Sequence, residues 1–227
     1  MDTQDKEKFD GQSLVKEFIG DDEDKIFETL VDFNNMLMRY NSAIREIRTK
    51  FEVLNDDLSL KNSRNPIESI SSRVKKPMSI AKKLKKLGLE VTVESIRQNL
   101  NDIAGVRVIC SFIDDIYAVA EMLSKQDDIT VICIKDYIKN PKPNGYRSYH
   151  MIVEVPVFFS EAKEDMRVEI QIRTVAMDFW ASLEHQMRYK NESDASKRIA
   201  RELKECAETI AATDVKMMEL RKKIEIQ

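Results

Sequence analysis

Apolar residues recur at Ile26, Leu30, Phe33, Leu37, Tyr40, Ile44, Ile47, Phe51 and Leu54, with spacings that alternate four and three. That is the period of one face of an α-helix, and it predicts a single long helix over about 24–54. The acids Asp21, Asp22, Glu23 and Asp24 open it, where the helix dipole favours negative charge. The same alternation returns at Ile199, Leu203, Cys206, Ile210, Thr213, Met217, Leu220 and Ile224. Between these two stripes the period switches to two. Short β-branched runs at 106–112, 129–135, 150–155 and 167–173 read as strands. Helical stretches are predicted at about 77–87, 92–100, 115–125 and 175–189, the last with Ala176, Phe179, Trp180, Leu183 and Met187 on one face. Strands separated by helices, with a hairpin between 150 and 173, predict an α+β fold. Its centre is a mixed β-sheet of about five strands packed with helices, flanked by long N- and C-terminal helices. Residues 1–20 read as a flexible arm, with one short helix around 14–19. The expected organisation is a helical region over 21–62, a central domain over 63–192 and a C-terminal helix over 193–227.

The composition narrows the chemistry by exclusion. At 227 residues, 34% charged and 42% hydrophobic with five Gly and five Pro, the chain is a helix-rich globular protein. Its net charge of −3 gives no global attraction to nucleic acid or membrane, so an anion site has to come from local clustering. Cys110, Cys133 and Cys206 have no CxxC spacing and read as reduced thiols of a cytoplasmic protein. No apolar run reaches membrane-spanning length. Glycine occurs only at 11, 20, 88, 105 and 145, so neither a P-loop nor a GxGxxG turn can be written. Two histidines and no paired cysteines exclude the common zinc centres.

Four segments stand out. Residues 73–86 hold seven basic side chains and no acid. Pro77 suits a first helical turn, which puts Ser79 among the free N–H groups of the helix start, with Lys75, Ser79 and Lys83 on one face if the twist reaches back to Lys75. This is a polyphosphate grip or, equally, a solvated basic face. In the second segment Asp102 precedes an apolar run interrupted by Arg107, whose guanidinium needs an anion or a ring to stack on. Asp102 alone also fits a turn or a cap. Residues 142–150, with Lys142, Asn144, Gly145, Tyr146, Arg147, Tyr149 and His150, concentrate more groups able to contact a nucleotide than a generic loop does. In the fourth, Glu169, Gln171 and Arg173 share one strand face opposite Val168, Ile170 and Ile172, which suggests a cleft floor; a plain solvent face is the alternative.

In this order and spacing the segments resemble the small alarmone synthetases, the short single-domain members of the RelA/SpoT family, over about residues 65–190. Asn144 to His150 (NGYRSYH), Glu169 to Thr174 (EIQIRT) and Met177 to His185 (MDFWASLEH) carry the likeness. It implies Mg2+-dependent transfer of pyrophosphate from ATP to the ribose 3′-hydroxyl of GDP or GTP. The likeness matches Arg73 and Arg107 to adenine-flanking positions and Lys75, Ser79 and Lys83 to phosphate contacts. Asp102 matches the magnesium aspartate and Glu169 the catalytic glutamate, which also stands near the metal. Tyr146 matches the tyrosine that stacks on guanine. Lys142, Asn144, His150, Gln171, Glu184 and His185 fall around the acceptor. The long members also carry a hydrolase domain with His and His-Asp metal ligands; two histidines and no His-Asp dipeptide exclude it from this chain.

The short members form tetramers, and the two narrow heptad stripes suggest a homo-oligomer, most simply a tetramer, built through the terminal helices. Packing of both helices on their own subunit is the other reading. Two rival functions are a nucleic-acid-binding module using the 73–86 helix and the 142–150 loop, and a helical scaffold. No stable nucleic-acid partner and no membrane contact are expected.

Overall fold

The computed structural model describes residues 23–61, 64–188 and 195–225, so the expected arm over 1–20 and its short helix lie outside the described residues. Helix α1 spans Glu23–Lys61, a stretch free of Gly and Pro between Gly20 and Pro66. Its predicted stripe is real but is used within the subunit. Tyr40, Ile44, Ile47 and Phe51 are buried, and Met36 and Ala43 join them to widen the stripe into a face that lies on the sheet. The expectation of a narrow oligomer seam on this helix is therefore corrected. The alternation of four and three could not distinguish the two outcomes, because Met36 and Ala43 fill the flank of the same stripe. Burial of each of Met36, Ile44, Ile47 and Phe51 stabilises by about 1.5–3 kcal/mol.

Strand β1 (Ile67–Val74) leads into α2 (Pro77–Lys86) and α3 (Val93–Asn99), the latter capped by Thr92, whose hydroxyl accepts from the Ser95 N–H at 3.1 Å. Then come β2 (Ala104–Cys110), α4 (Ile113–Ser124), β3 (Thr130–Asp136), β4 (Tyr149–Phe158), β5 (Lys163–Thr174), α5 (Val175–Arg188) and α6 (Ala195–Glu225). β1 was not foreseen as a strand. Its Ile-Glu-Ser-Ile-Ser-Ser run does not alternate, and it is an edge strand with little to bury. β2 ends two residues earlier than expected. Phe112 turns out to cap α4, its N–H donating to Asp115 Oδ2 at 3.1 Å, with the guanidiniums of Arg64 and Arg221 over its ring. β4 runs on past Val155 through Pro156. β3 pairs with β4 only as far as Glu154, so the missing N–H of the proline costs no ladder bond to β3.

The sheet order is β1-β2-β5-β4-β3, with β2 and β5 parallel and the other pairs antiparallel. This is the expected α+β fold. One continuous core joins Val106 and Val108 of β2, Met151 and Val153 of β4, and Val168, Ile170 and Ile172 of β5 to side chains from α1 to α4. The central strand β5 thus spends one face on the core and turns Glu169 and Gln171 to the other. Among the described residues no helix is long and apolar enough to cross a membrane.

Helix α6 is tied to its own subunit by polar contacts. Trp180 Nε1 donates to Leu203 O at 2.9 Å, Thr174 Oγ1 donates to Asp214 Oδ2 at 2.6 Å, and Arg221 pairs with Asp114. Ala207 and Asp214 face inward and are buried. Of the predicted stripe, Cys206, Thr213, Met217, Leu220 and Ile224 are exposed while Leu203 and Ile210 are partly covered. The stripe therefore divides between the subunit and its surface.

Candidate active site

The polar face of β1, β2 and β5 forms the floor of an open cleft lined by Arg73, Lys75, Asp102, Arg107, Glu169 and Gln171. Ser71 pairs with Arg107 and Arg73 with Gly105 across β1 and β2, so Arg73 and Arg107 are diagonal neighbours on one face. Diagonal neighbours stand roughly 7–8 Å apart, the separation a flat ring needs between two guanidinium planes. Gly105 places no side chain between them. Arg107 Nε is buried and has no hydrogen-bond partner among the described residues, while Nη1 lies 3.4 Å from Asp178 Oδ1. Burial lowers its pKa from the ordinary value, with Arg173 and Arg73 adding repulsion.

Next to this pair, Lys75 Nζ and Lys83 Nζ both reach Asp102 Oδ2, at 2.8 and 2.7 Å. Burial pushes the Asp102 pKa up, but the two ammonium groups outweigh it and hold the carboxyl below its usual range. Asp102 Oδ1 is buried with no partner among the described residues. The condition that the helical twist reach back to Lys75 is not met. Lys76 is the N-cap in extended conformation, and the Lys75 N–H donates to Ile103 O at 2.8 Å, continuing the strand. Lys75 and Lys83 nonetheless converge, because β1 and α2 both border the Asp102 turn. Ser79 is exposed, and its N–H bonds to Lys76 O at 2.9 Å rather than standing free, as expected from Pro77 alone.

The other half is a closed ring of side chains. Arg173 Nη2 donates to Tyr146 Oη at 2.6 Å and to Gln171 Oε1 at 2.8 Å; Gln171 Nε2 donates to Glu169 Oε2 at 2.9 Å. Glu169 Oε1 lies 3.6 Å from His150 Nδ1, and His150 Nε2 is 2.9 Å from Tyr146 Oη. Burial raises the Glu169 pKa and the nearby Asp102 charge adds to that, yet His150 and Gln171 overcome both and keep it below the usual range. Sheet register explains the convergence, since His150 pairs directly with Gln171 across β4 and β5.

Tyr146 comes from the 137–148 loop. Gly145 has φ +89°, in the left-handed region that favours glycine, and a Cβ there would meet Ala207 Cβ of α6 at 2.6 Å. Arg147 Nη1 donates to Gly145 O at 3.0 Å, and Asn144 Nδ2 to Glu184 Oε1 of α5 at 3.1 Å. Lys142 Nζ lies 4.6 and 4.7 Å over the rings of Tyr137 and Tyr146. His185 is exposed on α5, and no hydrogen bond or ion pair among the described residues ties it to the ring. Two contributors escape a reading of the sequence. Tyr137 follows a strand end, and Asp178 reads as an acid in a first helical turn; only the tertiary fold brings either to the cleft. Strand alternation predicts the face of Arg173 but not its role as the hub of this ring.

Residues 72–194 match the region found in RelA / SpoT proteins. The chain is 45% identical over 202 residues to GTP pyrophosphokinase YwaC of Bacillus subtilis (strain 168), an alignment covering 89% of this chain and 96% of that protein. Among solved structures it superposes on small alarmone synthetase 2 from Bacillus subtilis with a TM-score of 0.77 at 45% identity, covering 85% of this chain and 99% of the other. Small alarmone synthetase 1 from Bacillus subtilis, bound to its product pppGpp, gives 0.78 at 34% identity, covering 86% and 98%. This chain belongs to the RelA/SpoT family, and its fold is that of the small alarmone synthetases.

Proposed function

We propose that this protein is a GTP pyrophosphokinase, a synthetase without hydrolase activity, that moves the β,γ-pyrophosphate of ATP to the 3′-hydroxyl of GDP or GTP. The products are AMP and ppGpp or pppGpp. The observation that carries the reading is the placement of the Glu169 carboxylate, hydrogen-bonded by Gln171, in the same cleft as Asp102, which pairs with Lys75 and Lys83.

In this reading the acceptor 3′-oxygen attacks the β-phosphorus, the bond from that phosphorus to the α,β-bridging oxygen breaks, and AMP leaves with the bond pair. Glu169 orients the hydroxyl and accepts its proton, with His150 and Gln171 fixing the carboxylate. Arg73 and Arg107 flank the adenine. Lys75 and Lys83 leave Asp102 for the more highly charged triphosphate, with Ser79 beside them. Tyr146 stacks on guanine, and Lys142, Asn144, His150, Gln171, Glu184 and His185 surround the acceptor.

Members of this family use a divalent metal, and Mg2+ fits the residues present. The buried oxygen of Asp102 that has no partner among the described residues and the nearby Glu169 carboxylate are hard donors of the kind Mg2+ combines with phosphate oxygens. When bound it would supply neutralisation of the triphosphate charge. Residues 63–192 would form the catalytic domain. The outward stripe of α6, with Met217, Leu220 and Ile224, would carry assembly into a homo-oligomer, most simply a tetramer. A cytoplasmic location belongs to the same reading, since all three cysteines are free thiols. Incubation with ATP, Mg2+ and GDP or GTP, followed by chromatography, tests the activity; equimolar AMP and a 3′-pyrophosphorylated guanosine are expected.

A further inference from the structure

Asp178 stands in the first turn of α5, at none of the positions given a role above, yet it is where the two halves of the cleft touch. Its Oδ1 accepts a hydrogen bond from Arg173 Nη1 at 3.0 Å and lies 3.4 Å from Arg107 Nη1. Arg107 belongs to the donor half and Arg173 to the acceptor ring. One carboxylate oxygen therefore serves two guanidiniums, and it serves Arg107 poorly, whose buried Nε has no partner among the described residues.

Resting on the pyrophosphokinase reading, we propose that Asp178 is a positioning residue that couples the two nucleotide subsites, so that filling the donor half tightens the acceptor half. A base stacked on Arg107, or a phosphate drawn to it, takes that guanidinium away from Asp178. The carboxylate then belongs to Arg173 alone, and a charge-assisted bond that is no longer shared is the stronger one. Arg173 is anchored more firmly at one end while its Nη2 holds Tyr146 Oη and Gln171 Oε1 at the other. Its guanidinium carbon also lies 5.1 Å over the Tyr146 ring. The tyrosine that receives the acceptor base, and the glutamine that steadies Glu169, thus lose freedom before the acceptor arrives, and binding has less disorder left to remove. Linkage makes the effect reciprocal: GDP must tighten the donor nucleotide by the same factor.

The test is calorimetric titration with α,β-methylene ATP, in which the bond to be broken is replaced, in Mg2+ with and without saturating GDP, and then in the reverse order. In the wild-type protein each nucleotide is expected to lower the dissociation constant of the other about fivefold or more, the usual scale of coupled sites. Asp178→Asn keeps the shape and one oxygen acceptor but removes the charge. In that variant the coupling ratio is expected to fall to about one, while the constant for each nucleotide alone changes little and the melting temperature stays close to wild type. Independent constants in the wild-type protein overturn the proposal whatever the variant does. Full coupling in Asp178→Asn, or loss of either nucleotide when measured alone, removes Asp178 from the positioning role. If neither nucleotide binds the wild-type protein, the pyrophosphokinase reading fails and the coupling falls with it.

Discussion

The two halves of the cleft are built on opposite plans. The half proposed for the donor comes from β1, β2 and α2 and is a knot of cations around one carboxylate. Lys75 and Lys83 share a single oxygen of Asp102, and Arg107 keeps a buried nitrogen without a partner among the described residues. The acceptor half comes from the 137–148 loop, β4, β5 and α5 and is a ring in which Glu169, Gln171, Arg173, Tyr146 and His150 answer one another. On that reading a polyanion entering the first half would exchange its ion pairs, while a nucleoside entering the second would meet side chains hydrogen-bonded to one another, with freedom still left to lose. On the proposed reading, charge is left available where phosphate would be gripped, and a hydrogen-bonded ring stands where a hydroxyl would be aimed.

The comparison can be broken most forcefully at Glu169. Glu169→Gln removes the proton acceptor but keeps the side chain's shape, so kcat is expected to fall about 10²–10⁴-fold, the span of general-base catalysis. Both nucleotides should still bind within a few-fold of wild type by calorimetry. Near wild-type turnover would take Glu169 out of the mechanism.

Gly145→Ala attacks the acceptor half through its backbone. An alanine at φ +89° costs about 1–3 kcal/mol, and its Cβ would lie 2.6 Å from Ala207 Cβ, so α6 or the loop must shift. A lowered melting temperature and weaker GDP binding are expected, with the ATP analogue little affected. Equal loss of both nucleotides would show that the halves are not separable there. Tyr146→Ala should weaken acceptor binding by about 1–3 kcal/mol, the range for base stacking on an aromatic ring, and leave donor affinity nearly unchanged. If donor binding fell instead, the two pockets would be reversed.

The smallest effect is in pH. Asp102 has a folded pKa below its ordinary 3.8, so its contribution to stability is fully present above that value and is lost as pH falls through the lower folded one. Denaturant titrations at and below about pH 4 should show that loss in the wild-type protein. In Asp102→Asn the acid-side slope should be shallower; an unchanged slope would mean the lysines do not stabilise the charged form.

The face of β5 was legible because a strand's period places Glu169 and Gln171 opposite Val168, Ile170 and Ile172 whatever surrounds it. The 142–150 segment was legible because few loops gather so many polar aromatic and basic groups. β1 was not, since an edge strand that buries little needs no alternation. The stripes on α1 and α6 look alike in sequence, yet α1 is absorbed into the core while α6 keeps Met217, Leu220 and Ile224 at the surface. What separates them is whether flanking residues such as Met36 and Ala43 meet the sheet, which is a tertiary fact. Lys75 reaches Asp102 from just beyond the end of β1 and not from α2. Asp178, and the hub role of Arg173, are hidden because Arg107, Tyr146 and Asp178 meet only through the fold.

On the proposed mechanism the bond broken in ATP lies between the bridging oxygen and the β-phosphorus, with Glu169 preparing the attacking hydroxyl. Turnover with GDP of ATP that carries a heavy oxygen isotope at the α,β-bridge and a label at the β-phosphorus reads both points. The bridging oxygen should be recovered in AMP, the β-phosphorus label should appear in the guanosine product, and both should slow by the same factor in Glu169→Gln. Label from the β-phosphorus recovered as free phosphate or in ADP, with none in the guanosine product, would contradict the account.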